Sequence, residues 1–276
     1  MTSILLHLAA ALCYALVAVG GWRSCRVSDP HACPPRWLRP AYIVALLVHA
    51  VAVWAILFGD VASGIRLGVA PVLSLTLWLA GVILAWDLRR PEGHWTTLIH
   101  APAAAAVAIV AAILPLSLDP VVAAGRPALV AHLLVAVVSY ALFSVVAIHA
   151  FLMTLAEQAL HHHRFFRWLE HLPPLMTMER QLFRMIWMGF AALTLTNLTG
   201  IVFSEALFGV PWRWDHKTVF SLSAWLVFAV LLFGRWRYGW RGQTALRWLW
   251  GGIVLLALAY LGFHFVRDFL LTHRSA

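Results

Sequence analysis

Histidine is the residue type in this chain with the most chemistry to offer. There are fourteen, against eleven Asp and Glu together. Imidazole ligates metals, relays protons and titrates near neutrality. The candidates inside long apolar runs are His49, His100, His132, His149 and His264. An ionisable side chain in hydrocarbon is costly, so each is a functional candidate by default. The run His161-His162-His163 reads differently. Consecutive helical residues point in different directions and do not converge on one ion. These three lie in a basic stretch and read as a solvated, interfacial run.

A second group combines aromatic rings with charge. It reads Phe208-Gly209-Val210-Pro211-Trp212-Arg213-Trp214-Asp215-His216-Lys217, with Trp225 further along. Trp212, Trp214 and Trp225 offer flat apolar faces, and Arg213 and Lys217 offer cations. A planar apolar ligand with an acidic edge suits such a surface: rings cover its plane and cations pair with its carboxylates. Haem has that shape. The same tryptophans also suit the aromatic belt of a membrane interface. His216 reads as an exposed loop histidine. Glu205 and Asp215 flank the segment and are expected to pair with Arg213 or Lys217, worth about 0–1 kcal/mol if exposed. Glu179 and Arg184 read as structural. Cys13, Cys25 and Cys33 form no CxxC and read as unpaired. Ser-His-Asp, Walker and HExxH patterns do not occur, so nothing points to an enzyme with its own turnover.

The elements that must position these groups follow from composition. Of 276 residues, 63% are hydrophobic and 11% charged, whereas a soluble domain has roughly 45–50% and 25%. Mean hydropathy is +0.85. This is an all-α polytopic membrane protein with about eight transmembrane helices, at about 3–22, 41–58, 67–86, 96–117, 127–156, 185–206, 217–234 and 244–269. The spans must be helices, because backbone polar groups facing lipid have to be satisfied within the segment and no alternating barrel pattern appears. Residues 1–276 read as a single integral membrane domain without a repeat. Loop 160–184 mixes Phe165, Phe166 and Trp168 with Arg164 and Arg167. It reads as an amphipathic interfacial segment, broken at Pro173-Pro174. The net charge of +9 is explained by topology rather than by nucleic acid. Fourteen of the twenty Lys and Arg fall in loops 23–39, 89–90, 164–184 and 235–247. The positive-inside rule puts those loops in the cytoplasm. Both termini and the 205–217 loop then face the periplasm of a bacterial inner membrane.

Depth sharpens the histidine reading. His132 lies five residues into its span from the outer side, and His264 lies five residues short of the outer end of the last. At 1.5 Å per residue each is roughly 7–8 Å below the boundary. Two readings are open: one iron held between them, or a separate interhelical hydrogen bond for each.

Trp214-Asp215-His216-Lys217, Ser221-Leu222, Trp225 and Gly239-Trp240-Arg241-Gly242 resemble the tryptophan-rich "WWD" signature and following helix of the CcsA/CcmC haem-handling proteins of cytochrome c assembly. His132 with Ser139-Tyr140 and Phe143 resembles the family's histidine helix before that signature. Gly262-Phe263-His264-Phe265-Val266 falls where the family has a second outward histidine. Leu172-Pro173-Pro174-Leu175, Met178-Glu179, Phe183-Arg184 and Leu193-Thr194-Leu195 resemble its YpjD/HemX-like branch. The likeness runs over about 127–266. It implies that His132 and His264 are axial ligands of haem b, held as cargo or fixed group, with Trp212, Trp214, Asp215, Lys217 and Trp225 shelving it at the outer face. The implied role is an assembly factor for cytochrome c rather than an enzyme, with haem, other assembly proteins or an apocytochrome as partners. Two departures stand out. Haem exporters of the family carry a histidine where this chain has Phe233, and His216-Lys217-Thr218-Val219-Phe220 is a thin version of the signature. These favour an alternative, a HemX-like regulator acting through a cytoplasmic partner. A small-solute transporter is a second alternative, resting on His49 and on Thr194, Thr196, Asn197 and Thr199. Threonine and asparagine there more commonly bridge helices.

Overall fold

The computed structural model describes residues 2–27, 35–59, 64–66, 68–88, 94–114, 121–123, 127–161, 172, 174–202 and 214–262. Among them are eight α-helices: α1 (Thr2–Val27), α2 (Leu38–Phe58), α3 (Val69–Asp87), α4 (His94–Ile113), α5 (Pro127–His161), α6 (Leu175–Val202), α7 (His216–Tyr238) and α8 (Gly242–Ala257). A π-helical turn, Leu258–Gly262, continues α8. Seven helices, α1 to α7, are long and apolar enough to cross a bilayer. The sixteen residues of α8 are short of a span by themselves, and residues 263–269 of the expected eighth span, His264 included, lie outside the described residues.

Two compact units divide the chain. The first holds residues 1–125 and 151–178, the second 126–150 and 179–276. In the first, α1 packs against α4 and α2, and α3 against α4 and α2. Ala45, Ala52, Ala80, Ala101, Ala104 and Ala108 are fully buried here, and small side chains let membrane helices approach closely. Polarity is inverted relative to a soluble bundle. The buried faces carry His7, Tyr14, Tyr42, His49, Ser74 and His100, while Leu5, Leu12, Leu16, Leu47 and Trp54 are exposed. Only a lipid surround makes such an apolar exterior stable.

The sequence reading placed no strands between spans. Gly64–Arg66 (β1) and Val121–Ala123 (β2) nevertheless pair antiparallel, with Ile65 opposite Val122. Ile65 packs with Leu75 and Trp78 on a cluster of Val53, Ile56, Leu57, Ala70 and Ala111. The ladder ties the α2–α3 connection to the α4–α5 connection. Three residues per strand are too few for periodicity to reveal. Cys25 is disulfide-bonded, which corrects the expectation that the cysteines are unpaired, while Cys13 is free. Spacing without a CxxC does not show which cysteines a loop brings together.

In the second unit α7 packs against α8 and its π-helical turn. The corner between α7 and α8 explains Gly239-Trp240-Arg241-Gly242. Gly239 and Gly242 both have positive φ, 67° and 54°, which L side chains adopt only at a cost. Trp240 N–H donates back to the Gly234 carbonyl, 3.3 Å, and its indole lies directly on Gly234 Cα, where any Cβ would collide.

Candidate functional site

In the second unit, α5 and α6 present His132 and Thr199 to each other. His132 is 8% exposed, and its Nδ1 lies 2.8 Å from Thr199 Oγ1. The Thr199 hydroxyl donates to the Leu195 carbonyl, 2.8 Å. The ring therefore donates from Nδ1–H to Thr199, and its lone pair sits on Nε2. Metal-binding histidines are commonly oriented in this way, with one nitrogen anchored and the other basic. Gly200 stands beside the ring, with its Cβ position 3.4 Å from His132 Cε1.

At the same end of the unit, Asp215 starts α7. Its carboxylate accepts from Thr218 N–H at 2.8 Å, an N-cap of the usual kind. Lys217 follows two residues later in the first turn of α7, and both side chains are exposed. Trp214 is 73% exposed. Trp225 lies on α7 two turns in and turns inward rather than toward the loop. Its Nε1–H donates to Thr194 Oγ1 at 2.8 Å, and its ring stacks on Phe190 at 5.5 Å. Ser221 Oγ donates to Asn197 Oδ1 at 2.7 Å. Thr194 and Asn197 thus join α6 to α7.

Asp215 and Lys217 lie together at the start of α7 with Trp214 just before them, and His132 lies near the start of α5. Trp225 serves as a packing residue of α6 and α7. Trp212, Glu205, Arg213, His264 and residues 162–171 and 173 of loop 160–184 lie outside the described residues. Phe233 is 53% exposed, with Trp236 and Tyr238 as ring neighbours at 6.0 and 6.2 Å. Glu179 is structural, as its sequence position suggests, but its partners lie far along the chain. Almost fully buried in α6, it forms an ion pair with Arg235 of α7 and a longer one, 3.8 Å, with Arg241. Arg235 also donates to the Trp240 carbonyl, 3.0 Å, and covers the Phe183 ring at 4.5 Å.

An apolar exterior and seven membrane-length helices among the described residues define a multi-pass helical membrane protein. The chain belongs to the cytochrome c assembly protein family, whose model matches residues 37–271. It is 30% identical over 235 residues to inner membrane protein YpjD of Escherichia coli strain K12, covering 84% of this chain and 88% of that one. A cytochrome c biogenesis protein CcsA of Thermosynechococcus vestitus is 34% identical over 86 residues, 31% of this chain and 27% of that protein. No solved structure matches. The family match extends well before residue 127, where the sequence likeness was first legible. The protein is a multi-pass bacterial inner-membrane protein.

Proposed function

We propose that this protein binds haem near the periplasmic face of the inner membrane and supports cytochrome c assembly, both units forming one membrane domain. The observation that carries this reading is His132, anchored through Nδ1 on Thr199 with its lone pair on Nε2. That donor fits an axial ligand of haem b, and His264 is the proposed second ligand. Lys217 and Arg213 would pair with the acidic edge, and Trp212 and Trp214 would lie along the plane. Bound haem supplies vinyl groups for thioether attachment to an apocytochrome. The chain's own residues orient the ring, exclude water and neutralise charge. No residue here is assigned to catalysis.

The arginine-rich loops set the proposed orientation, with both termini and the 205–217 loop periplasmic. The Cys25 disulfide pulls the other way, since disulfides persist in oxidising compartments. Labelling the reduced protein in intact cells with a membrane-impermeant thiol reagent decides between them. The regulatory reading keeps one supporting observation, Phe233 at the position of a histidine in haem-exporting relatives. The absorption spectrum of detergent-purified protein separates the two functions. A Soret band lost in the His132→Ala/His264→Ala double variant supports haem binding. A full band in that variant refutes the ligand assignment, and haem-free protein carrying a soluble partner selects the regulator.

A further inference from the structure

The end of α7 and the start of α8 carry more positive charge than the protein itself balances. Arg235, Arg237, Arg241 and Arg247 fall within thirteen residues, and between His216 and Gly262 the sequence has no Asp or Glu. One carboxylate reaches them from α6: Glu179 pairs with Arg235 and, at 3.8 Å, with Arg241. Arg237 and Arg247 form no ion pair among the described residues, and both are exposed. Aromatic rings accompany these cations in an unbroken row. Trp236 neighbours Phe233 at 6.0 Å, Phe233 meets Tyr238 at 6.2 Å, Tyr238 stacks on Trp240 at 6.5 Å, and Trp240 stacks on Trp248 at 5.5 Å. The Arg237 guanidinium lies 5.8 Å from the centre of the Tyr238 ring. Trp236 and Tyr238 are 78% and 67% exposed.

Geometry sets the depth of this corner. The 23 residues of α7 rise about 34 Å at 1.5 Å per residue, against a hydrocarbon core of roughly 30 Å. Its last turn, which bears Trp236, Arg237 and Tyr238, therefore falls at a headgroup layer. The chain leaves α7 at Tyr238 and enters α8 at Gly242, and α8 packs back on α7. A three-residue turn cannot carry the corner out into bulk water. Arg247 lies five residues into α8, about 7 Å from its start. An exposed arginine at that depth has lipid beside it. Its side chain slants toward the start of the helix, and its long stem returns the guanidinium to the headgroups. A cation there without a protein counter-ion is costly, and lipid phosphate is the anion that the surroundings offer.

We propose that the α7–α8 corner binds an anionic phospholipid, its phosphate held by Arg237 and Arg247 and its glycerol end lying on the ring row from Trp236 to Trp248. Guanidinium groups match phosphate oxygens two at a time, and Trp and Tyr rings favour this layer of the bilayer. A zwitterionic headgroup presents the same phosphate together with an ammonium group, which the unbalanced arginines repel. A phosphatidylglycerol headgroup has no such cation, so the corner selects for headgroup charge. An acidic soluble protein matches the charge but not the depth, since it reaches the corner only by displacing lipid. The site is independent of the haem reading, which uses the opposite end of α7.

The test is native mass spectrometry of the full-length protein from bilayers of equal phosphatidylglycerol and phosphatidylethanolamine, read as the ratio of the two lipid-bound masses. The wild type is expected to retain phosphatidylglycerol preferentially. Arg237→Gln/Arg247→Gln is expected to lose about fivefold of that preference for each arginine removed. Arg23→Gln/Arg36→Gln removes the same charge from exposed arginines of the first unit and is expected to leave the preference in place. Equal loss in the two double variants, or no loss in the first, overturns the site. Equal retention of both lipids by the wild type overturns it without any variant, so a variant that fails to fold does not shield it. Excess inorganic phosphate is expected to leave the lipid bound; displacement would mark a site for free anions and overturn the lipid assignment.

Discussion

The two units anchor histidine differently. In the first, His49 and His100 have both ring nitrogens within hydrogen-bond distance of oxygens on neighbouring helices, and His7 bonds Ser3 of its own helix and Ser74 of α3. In the second, His132 is steadied through Nδ1 by Thr199, which turns its basic nitrogen outward from that bond. A histidine inside a membrane span is thus a functional candidate only in a generic sense. Its neighbours decide which of its nitrogens is anchored and on what. The distinction lies in packing between helices, a level at which hydropathy is silent.

The largest expected effect probes the second unit away from His132. Glu179→Ala leaves Arg235 and Arg241 without their carboxylate. Removing one partner of a fully buried pair costs about 3–5 kcal/mol. Arg235 keeps 26% of its side chain exposed and can turn to water, so about 2–3 kcal/mol is expected, read as a lower melting temperature in detergent. A neutral result would mean that the α6–α7 ion pair contributes little. The comparison itself is broken or sharpened by a matched pair. His49→Leu strands Ser74 and Tyr14 and is expected to lose about 1–3 kcal/mol while leaving any Soret band intact. His132→Leu is expected to do the reverse. Equal loss of the band in both variants would erase the difference between the units. The smallest effect is Thr199→Val, which removes the oriented acceptor of His132 Nδ1–H. Loss of such an outer partner typically weakens a metal ligand 10- to 100-fold, so haem titration should show weaker binding with the fold unchanged.

Much of the fold was legible because twenty apolar residues in a row have few alternatives. The first seven expected spans all correspond to helices, with shifts at the ends. The largest is in α6, expected from 185 and found from Leu175. Its first turns carry Glu179, Arg180 and Arg184, so a hydropathy window starts late. The physical start is set instead by Pro174, whose carbonyl accepts from Thr177 and Met178 N–H at 2.8 and 3.2 Å. His132 stands out in the sequence as a candidate by depth and family likeness. Its partner Thr199, 67 residues away, was not, because pairing depends on how two helices rotate. His7 was missed, although a signal existed: His7 and Tyr14 are seven apart, as are Tyr42 and His49, which puts each pair on one helical face. Trp225 was legible as a tryptophan of the signature but not as a donor to Thr194.

The corner at Gly239 and Gly242 has a mechanical consequence. Only Trp240 and Arg241 separate the two glycines, so the joint has almost no slack. Each residue of an α-helix turns the chain by about 100°. A single insertion here would swing the stripe of Ala245, Leu246, Leu249, Gly252 and Leu256 out of its seat and into the surrounding lipid. Indels at this hinge should therefore be far less tolerated than substitutions at Trp240 or Arg241 themselves.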